Sequence, residues 1–313
     1  MARPLRFVPA NALVEVTTRT LQGRLLLKPS PELTDIILGV IGKAQNLYKM
    51  SIHAFVVMST HAHFLCSPSS ADDLASFMQF VNSNIAKEVG RLHNWPERVW
   101  SRRYRCIPIV DEQAAHARMR YLLGHGAKEG LVSTPGSWPG PNCIAALTHG
   151  EKLRGTWFDR SAESIARQRG RQVSPSQFAT SFDIELTPLP CLAHLDADQR
   201  QAHVRRVVAE ITTVADRANR EQGRSPMGVT AILGQDPHHR PENPDRSPAP
   251  FVHADDQQKG DEFRAAYRAF VADFRKGVAS LVARAKEITK LFPNWAFPPA
   301  LPFTDPTAPT AAA

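Results

Sequence analysis

SIHAFVVMSTHAHFLCS (residues 51–67) decides the architecture, because it holds two short apolar runs too close together for anything but neighbouring strands. SIHAFVVM (51–58) reads as a buried strand and HFLCS (63–67) as its partner, with Ser59 to Ala62 forming the tight connection. Upstream, residues 31–48 open on Pro31-Glu32 and space Leu33, Ile36, Ile37, Val40, Ile41, Ala44 and Leu47 as one face of a helix. Before that, ALVEVTT (12–18) alternates and is β-branched, so a strand is expected. Downstream, residues 71–92 repeat the helical pattern with Leu74, Phe77, Met78, Val81, Ile85 and Val89. A loop at Asn94-Trp95-Pro96 leads to a strand over YRCIPIV (104–110) and then a helix from Glu112 to about Gly124, or onward toward Glu129. The order strand, helix, strand, strand, helix, strand, helix predicts an α+β fold of ferredoxin-like type, an antiparallel sheet with helices on its faces.

The character changes after Val132. STPGSWPGPN (133–142) is a Pro- and Gly-rich linker or tie-down loop, with Trp138 packing it back on the domain. Residues 1–142 therefore form a first domain and 143–313 a mainly helical C-terminal extension, with helices expected at 159–170, 196–222 and 259–290 and extended interruptions between them. GQDPHHRPENPDRSPAP (234–250) reads as a polar surface loop, and the end of the chain is rich in Pro and Ala.

No run reaches the roughly 18 apolar residues of a membrane span, and MARPLRFVPA lacks the apolar core of a secretory signal. Cys66, Cys106, Cys143 and Cys191 form no CxxC pair, which reads as reduced thiols in a cytoplasmic protein. The net charge of +8 favours a polyanionic partner, and without an apolar span no membrane partner is expected. Arg98, Arg102, Arg103 and Arg105 are interleaved with Trp100 and Tyr104, a mixture suited to phosphates and unstacked bases, although a solvated charged edge has the same composition.

His61 and His63 stand two apart at a strand, so both imidazoles leave the same sheet face and can converge on one metal ion. Alone, the pattern equally describes two surface histidines beside a turn. Tyr121 and His125, in RYLLGHGAKEGLV (120–132), are four apart and share a helix face. A phenol facing a metal ion and a phosphodiester can act as a nucleophile, and a histidine one turn on can complete the metal shell. His53 in its apolar strand is expected to be a satisfied core histidine, His238-His239 a surface pair, and Tyr104 a stacking or packing residue rather than a rival nucleophile.

STHAHFLC, VWSRRYRCIPIVDE and RYLLGHGAKEGLV, followed by SWP, resemble in order and spacing the REP-associated tyrosine transposases and their insertion-sequence relatives, a branch of the HUH endonuclease superfamily. The family's P-N-H-x-H is matched by Ser59 to His63, its W-x-x-R-[YF] by Trp100 to Tyr104, and its R-Y-I-x-x-N-P-x-x-x-G-L-V by residues 120–132. The resemblance covers about residues 10–142. It implies Tyr121 as catalytic nucleophile forming a 5′-phosphotyrosine intermediate, and His61, His63 and His125 as ligands of a divalent metal, Mg²⁺ or Mn²⁺. It further implies single-stranded or hairpin DNA as partner, with Arg19, Arg102, Arg103 and Arg105 as DNA contacts and a nucleoid-associated location. With one tyrosine, two cleavages need either a homodimer or sequential use of one site. Two residues depart from the pattern. His125 replaces Asn, which preserves metal binding and shifts preference toward Mn²⁺; Gly126 replaces Pro, which is expected to loosen the helix end. A replication initiator or relaxase, and a non-catalytic DNA-binding regulator that keeps the fold, are the alternatives.

Overall fold

The computed structural model describes residues 5–242 and 250–289. Val8–Gly260 form one compact unit, and the described residues 5–7 and 261–289 belong to a second.

The first unit opens with β1 (Val14–Arg19), α1 (Pro31–Leu47), β2 (Met50–Met58), β3 (His61–Pro68), α2 (Ala71–His93), β4 (Arg105–Pro108) and α3 (Glu112–Leu123). The sheet order is β2-β3-β1-β4 with every neighbouring pair antiparallel. This is the split βαβ arrangement of the ferredoxin-like fold. The expected order of elements holds, with one local correction: the connection between β2 and β3 is only Ser59 and Thr60, so His61 lies inside the strand. Each helix starts where a side-chain oxygen replaces the missing intrahelical acceptor. Ser30, Ser70 and Asp111 accept from the amides of Leu33, Asp73 and Ala114 at the heads of α1, α2 and α3.

Pleating divides the sheet residues between two faces. Val14, Val16, Ala62 and Phe64 are buried on the face covered by α1 and α2, where the Phe64 ring meets Phe77 of α2 at 6.2 Å. Glu15, Thr17, Arg19, His61 and His63 take the opposite face, on which α3 lies. The tie-down loop is real: Trp138 is buried and donates from Nε1 to the Val57 carbonyl at 2.8 Å, while Pro141 accepts from the Val57 amide. The outer edge of β2 is thereby covered.

Beyond the loop come α4 (Ile144–His149), β5 (Leu153–Phe158), α5 (Arg160–Gln168), β6 (Ala179–Ile184), α6 (Ala197–Glu221), α7 (Val229–Leu233) and α8 (Gln257–Thr289). Three of these helices fall at the expected places. The antiparallel β5–β6 hairpin was not anticipated. It packs on α1, where Gly39 and Gly155 let two backbones approach so closely that a Cβ on Gly39 would lie 2.1 Å from the Thr156 carbonyl carbon. His53 is buried and satisfied, its ring bonding Ser67 Oγ and the Thr187 carbonyl. Residues 243–249 of the Pro-rich loop and the Pro- and Ala-rich end from 290 lie outside the described residues. In the second unit, Phe7 packs its ring against Phe263 and Phe270, and Tyr267 donates to the Leu5 carbonyl. No helix among the described residues is long and apolar enough to cross a membrane.

Candidate active site

Strand alternation and helical spacing converge on one point. His61 and His63 sit opposite Arg19 and Thr17 in the β1–β3 ladder, on the face beneath α3. The helix ends at Leu123 and His125 follows one residue past its Gly124 cap, its Nδ1 donating to the Tyr121 carbonyl at 2.9 Å. Ring centroids are 4.9 Å apart for His61 and His63, 5.3 Å for His61 and His125, and 4.6 Å for His63 and His125. One ring nitrogen from each lies within 4.8 Å of the other two. The Tyr121 ring is 4.8 Å from that of His125 and 5.9 Å from that of His63, and the residue is 38% exposed, so the phenol faces both the cluster and solvent. Its ring is flanked by two cations, the Arg118 guanidinium at 3.9 Å and the Lys128 ammonium at 3.3 Å.

The three imidazoles are held neutral. Burial lowers the pKa of each. For His61 the neighbouring His63, His125, Arg19 and Lys128 push further in the same direction, and His125 falls to about 2 through burial, His63 and Lys128. For His63, burial outweighs the opposing pull of Glu15. Neutral imidazole is the form that binds a metal. The donor set fits one: His63 Nδ1 and His125 Nδ1 are both engaged, and His63 Nε2 is buried with no hydrogen-bond partner among the described residues. A buried imidazole nitrogen left bare is costly unless something outside the chain satisfies it. Among the described residues, this is the one group of three or more histidine, cysteine or acidic side chains arranged to hold an ion.

Residues 29–123 match the family model described as Transposase IS200 like. That segment resembles an IS200-like transposase. The match includes His61, His63 and Tyr121 and stops just short of His125. No curated protein matches the chain. Among solved structures, a REP-associated tyrosine transposase bound to a REP hairpin aligns with 47% of this chain and 85% of its own at 17% identity and a TM-score of 0.40. A protein of Deinococcus radiodurans R1, described as a candidate transposase, aligns with 39% of this chain and 95% of its own at 15% identity and a TM-score of 0.28.

The arginines expected at DNA divide into two groups. Arg19 lies opposite His61, and Arg105 is paired with Thr17, which in turn faces His63, so both occupy the row of the histidines. Arg102 and Arg103 are exposed in the loop entering β4. None of the four forms a salt bridge among the described residues. Tyr104 is buried, as a packing residue would be. At Gly126 the expectation of a loosened helix end is corrected. Its φ of +86° is closed to proline and easy for glycine. The turn it makes is pinned, because its carbonyl accepts from the amides of Leu131 and Val132 and its own amide donates to Glu129.

Sequence reasoning missed Glu15, Arg118, Lys128 and His253. Glu15 is 2% exposed in mid-strand, and its Oε1 accepts from His63 Nδ1 and from Arg118, both at 2.9 Å. Burial raises its pKa, but hydrogen bonds from His253, His63 and Arg118 prevail and hold the carboxyl well below the usual carboxylate range. An ionised acceptor on His63 Nδ1 fixes that tautomer and turns Nε2 toward the cluster. Glu15→Gln is therefore expected to weaken Mn²⁺ binding by about 10- to 100-fold in calorimetric titration. Its amide places two hydrogens where three donors converge; unchanged affinity would remove Glu15 from the site.

Proposed function

We propose that this chain is a metal-dependent single-strand DNA endonuclease and strand transferase in which Tyr121 forms a 5′-phosphotyrosine intermediate. The observation carrying this reading is the Tyr121 ring within 4.8 and 5.9 Å of two imidazoles of the His61, His63 and His125 cluster. The substrate is single-stranded or hairpin DNA, with Arg19 and Arg105 placed to hold phosphates beside the histidines and Arg102 and Arg103 to extend that contact. His61, His63 and His125 would hold the ion, Mg²⁺ or, given three imidazoles, more readily Mn²⁺. When bound, it supplies Lewis-acid polarisation of the scissile phosphate.

Tyr121 Oη forms a bond to phosphorus while the bond from phosphorus to the 3′ oxygen breaks. The phenolic proton leaves to solvent at the exposed edge of the residue, and the departing oxygen takes up a proton to become a 3′-hydroxyl. Arg118 and Lys128 flank the ring and offer charge to the phosphate. Because the phosphodiester energy is kept in the tyrosyl ester, rejoining needs no nucleotide cofactor. All these groups lie in residues 1–142, which we assign as the catalytic domain. Two cleavages then require a second subunit or a second use of the same tyrosine, and the working location is the nucleoid.

Incubation with hairpin oligonucleotides bearing single-stranded flanks tests this reading. With Mn²⁺, a 3′-labelled strand should leave its label on the protein in a denaturing gel, and a 5′-labelled strand should release a fragment ending in 3′-hydroxyl. Excess chelator should reduce the adduct to background, and added Mn²⁺ should restore it. Hairpin binding without adduct would instead support a non-catalytic regulator.

A further inference from the structure

His253 belongs to the part of the chain beyond the catalytic segment, well past the residues that match the transposase family. Its backbone lies along the outer edge of β4, donating from its amide to the Pro108 carbonyl at 2.8 Å and accepting from the Val110 amide at 3.1 Å. It is a parallel bridge partner of Ile109. Two residues on, the amides of Asp255 and Asp256 donate to Asp111 Oδ2 at 2.7 and 3.1 Å. Asp111 also caps α3 through Oδ1, which accepts from the Ala114 amide at 2.7 Å. One short segment thus grips both β4 and the head of the helix that carries Tyr121.

The side chain reaches further in. His253 Nε2 donates to Glu15 Oε2 at 2.7 Å, the oxygen that His63 and Arg118 leave free. Both groups are shielded, with the side chains 11% and 3% exposed. A buried carboxylate held at one oxygen can still pivot; held at both, it presents a fixed acceptor. Through Oε1 that acceptor orients His63, and through Arg118 it braces the cation stacked on the Tyr121 ring at 3.9 Å.

We propose that His253 is a positioning residue for the metal centre, acting through Glu15 on His63, so that the segment around it is a working part of the active site and not an appendage. This rests on the reading that the three histidines take a divalent ion. The test is Mn²⁺ affinity by calorimetry on the full chain, with the melting temperature of the metal-free protein measured alongside. His253→Ala should weaken Mn²⁺ binding about tenfold, and His253→Gln, whose amide nitrogen can reach the same oxygen, should recover to within about threefold. Should Ala fail to fold, His253→Asn keeps an amide too short for the contact and should show the same loss. In the Glu15→Gln background, His253→Ala should add little, because both changes cut one path. An affinity within twofold of wild type in folded His253→Ala or His253→Asn, or equal loss in Ala and Gln in step with melting temperature, overturns the proposal. Wild-type protein that binds no Mn²⁺ overturns the metal reading itself, and this proposal with it.

Discussion

Tyr121→Phe is expected to abolish the protein–DNA adduct and to reduce strand cleavage by about four orders of magnitude or more, the scale seen when a covalent nucleophile is deleted. The change removes one oxygen and almost nothing else. Phenylalanine keeps the ring that packs 4.8 Å from His125 and lies between Arg118 and Lys128, so the fold and the histidine cluster should stand. Mn²⁺ affinity should stay within about twofold of wild type, because the ligands and Glu15 are untouched. Hairpin affinity should change as little, since phosphate contacts are assigned to arginines. The comparison variant is His63→Ala, which removes a ligand and leaves the Glu15 carboxylate short of a donor. It should lose metal binding and adduct together. Strand cleavage that survives Tyr121→Phe but not His63→Ala would mean that water, not the phenol, attacks, and the enzyme would be a metal hydrolase.

How far the site could be read from the chain depends on the sequence distance between partners. His61 and His63 were legible because period-two alternation fixes their common face, and Tyr121 and His125 because a spacing of four fixes theirs. The sheet itself was legible because β1 alternates, β2 and β3 are short apolar runs buried on both faces, and the helices between them carry one apolar stripe. Glu15 was hidden in plain view: in ALVEVTT it occupies the polar phase of an alternating strand, which normally faces water. Only α3 and His253 laid over that face turn it inward, and His253 is separated from it by most of the chain. No local pattern encodes such a pairing. The β5–β6 hairpin escaped for a related reason. LRGTWF and ATSFDI are short and broken by Gly155, and what holds them is a close approach to α1 rather than an apolar stripe. The signal that was there is the pair of glycines in an otherwise good helix, Gly39 and Gly42, which cost helix stability and so imply something packed against them.

That cost makes Gly39 and Gly155 the next decisive positions. In an open helix, Gly→Ala gains about 0.5 to 1 kcal/mol by restricting the unfolded chain. A methyl added at Gly277 of α8 would meet nothing within 4 Å among the described residues, so Gly277→Ala should gain that amount in thermal or denaturant unfolding. At Gly39 the sign reverses. Its Cβ would lie 2.1 Å from the Thr156 carbonyl carbon and 2.4 Å from its oxygen, and backbone cannot swing away as a side chain can. A Cβ on Gly155 would meet the Asp35 carbonyl oxygen and the Gly39 nitrogen at 2.3 Å each. The hairpin must then lift from α1, giving up the contacts of Lys43 with the Trp157 and Phe182 rings. Gly39→Ala and Gly155→Ala should each lose roughly 3 kcal/mol, the upper range of overpacking. Gly42→Ala should lose less, because its nearest atom is the Phe182 Cβ at 2.8 Å. Since α1 covers the sheet face opposite the histidines, Mn²⁺ affinity measured where the variants remain folded should not move. Gly39→Ala as stable as wild type would mean that the hairpin does not ride on α1; loss of metal binding in the folded variant would mean that the two faces of the sheet are coupled.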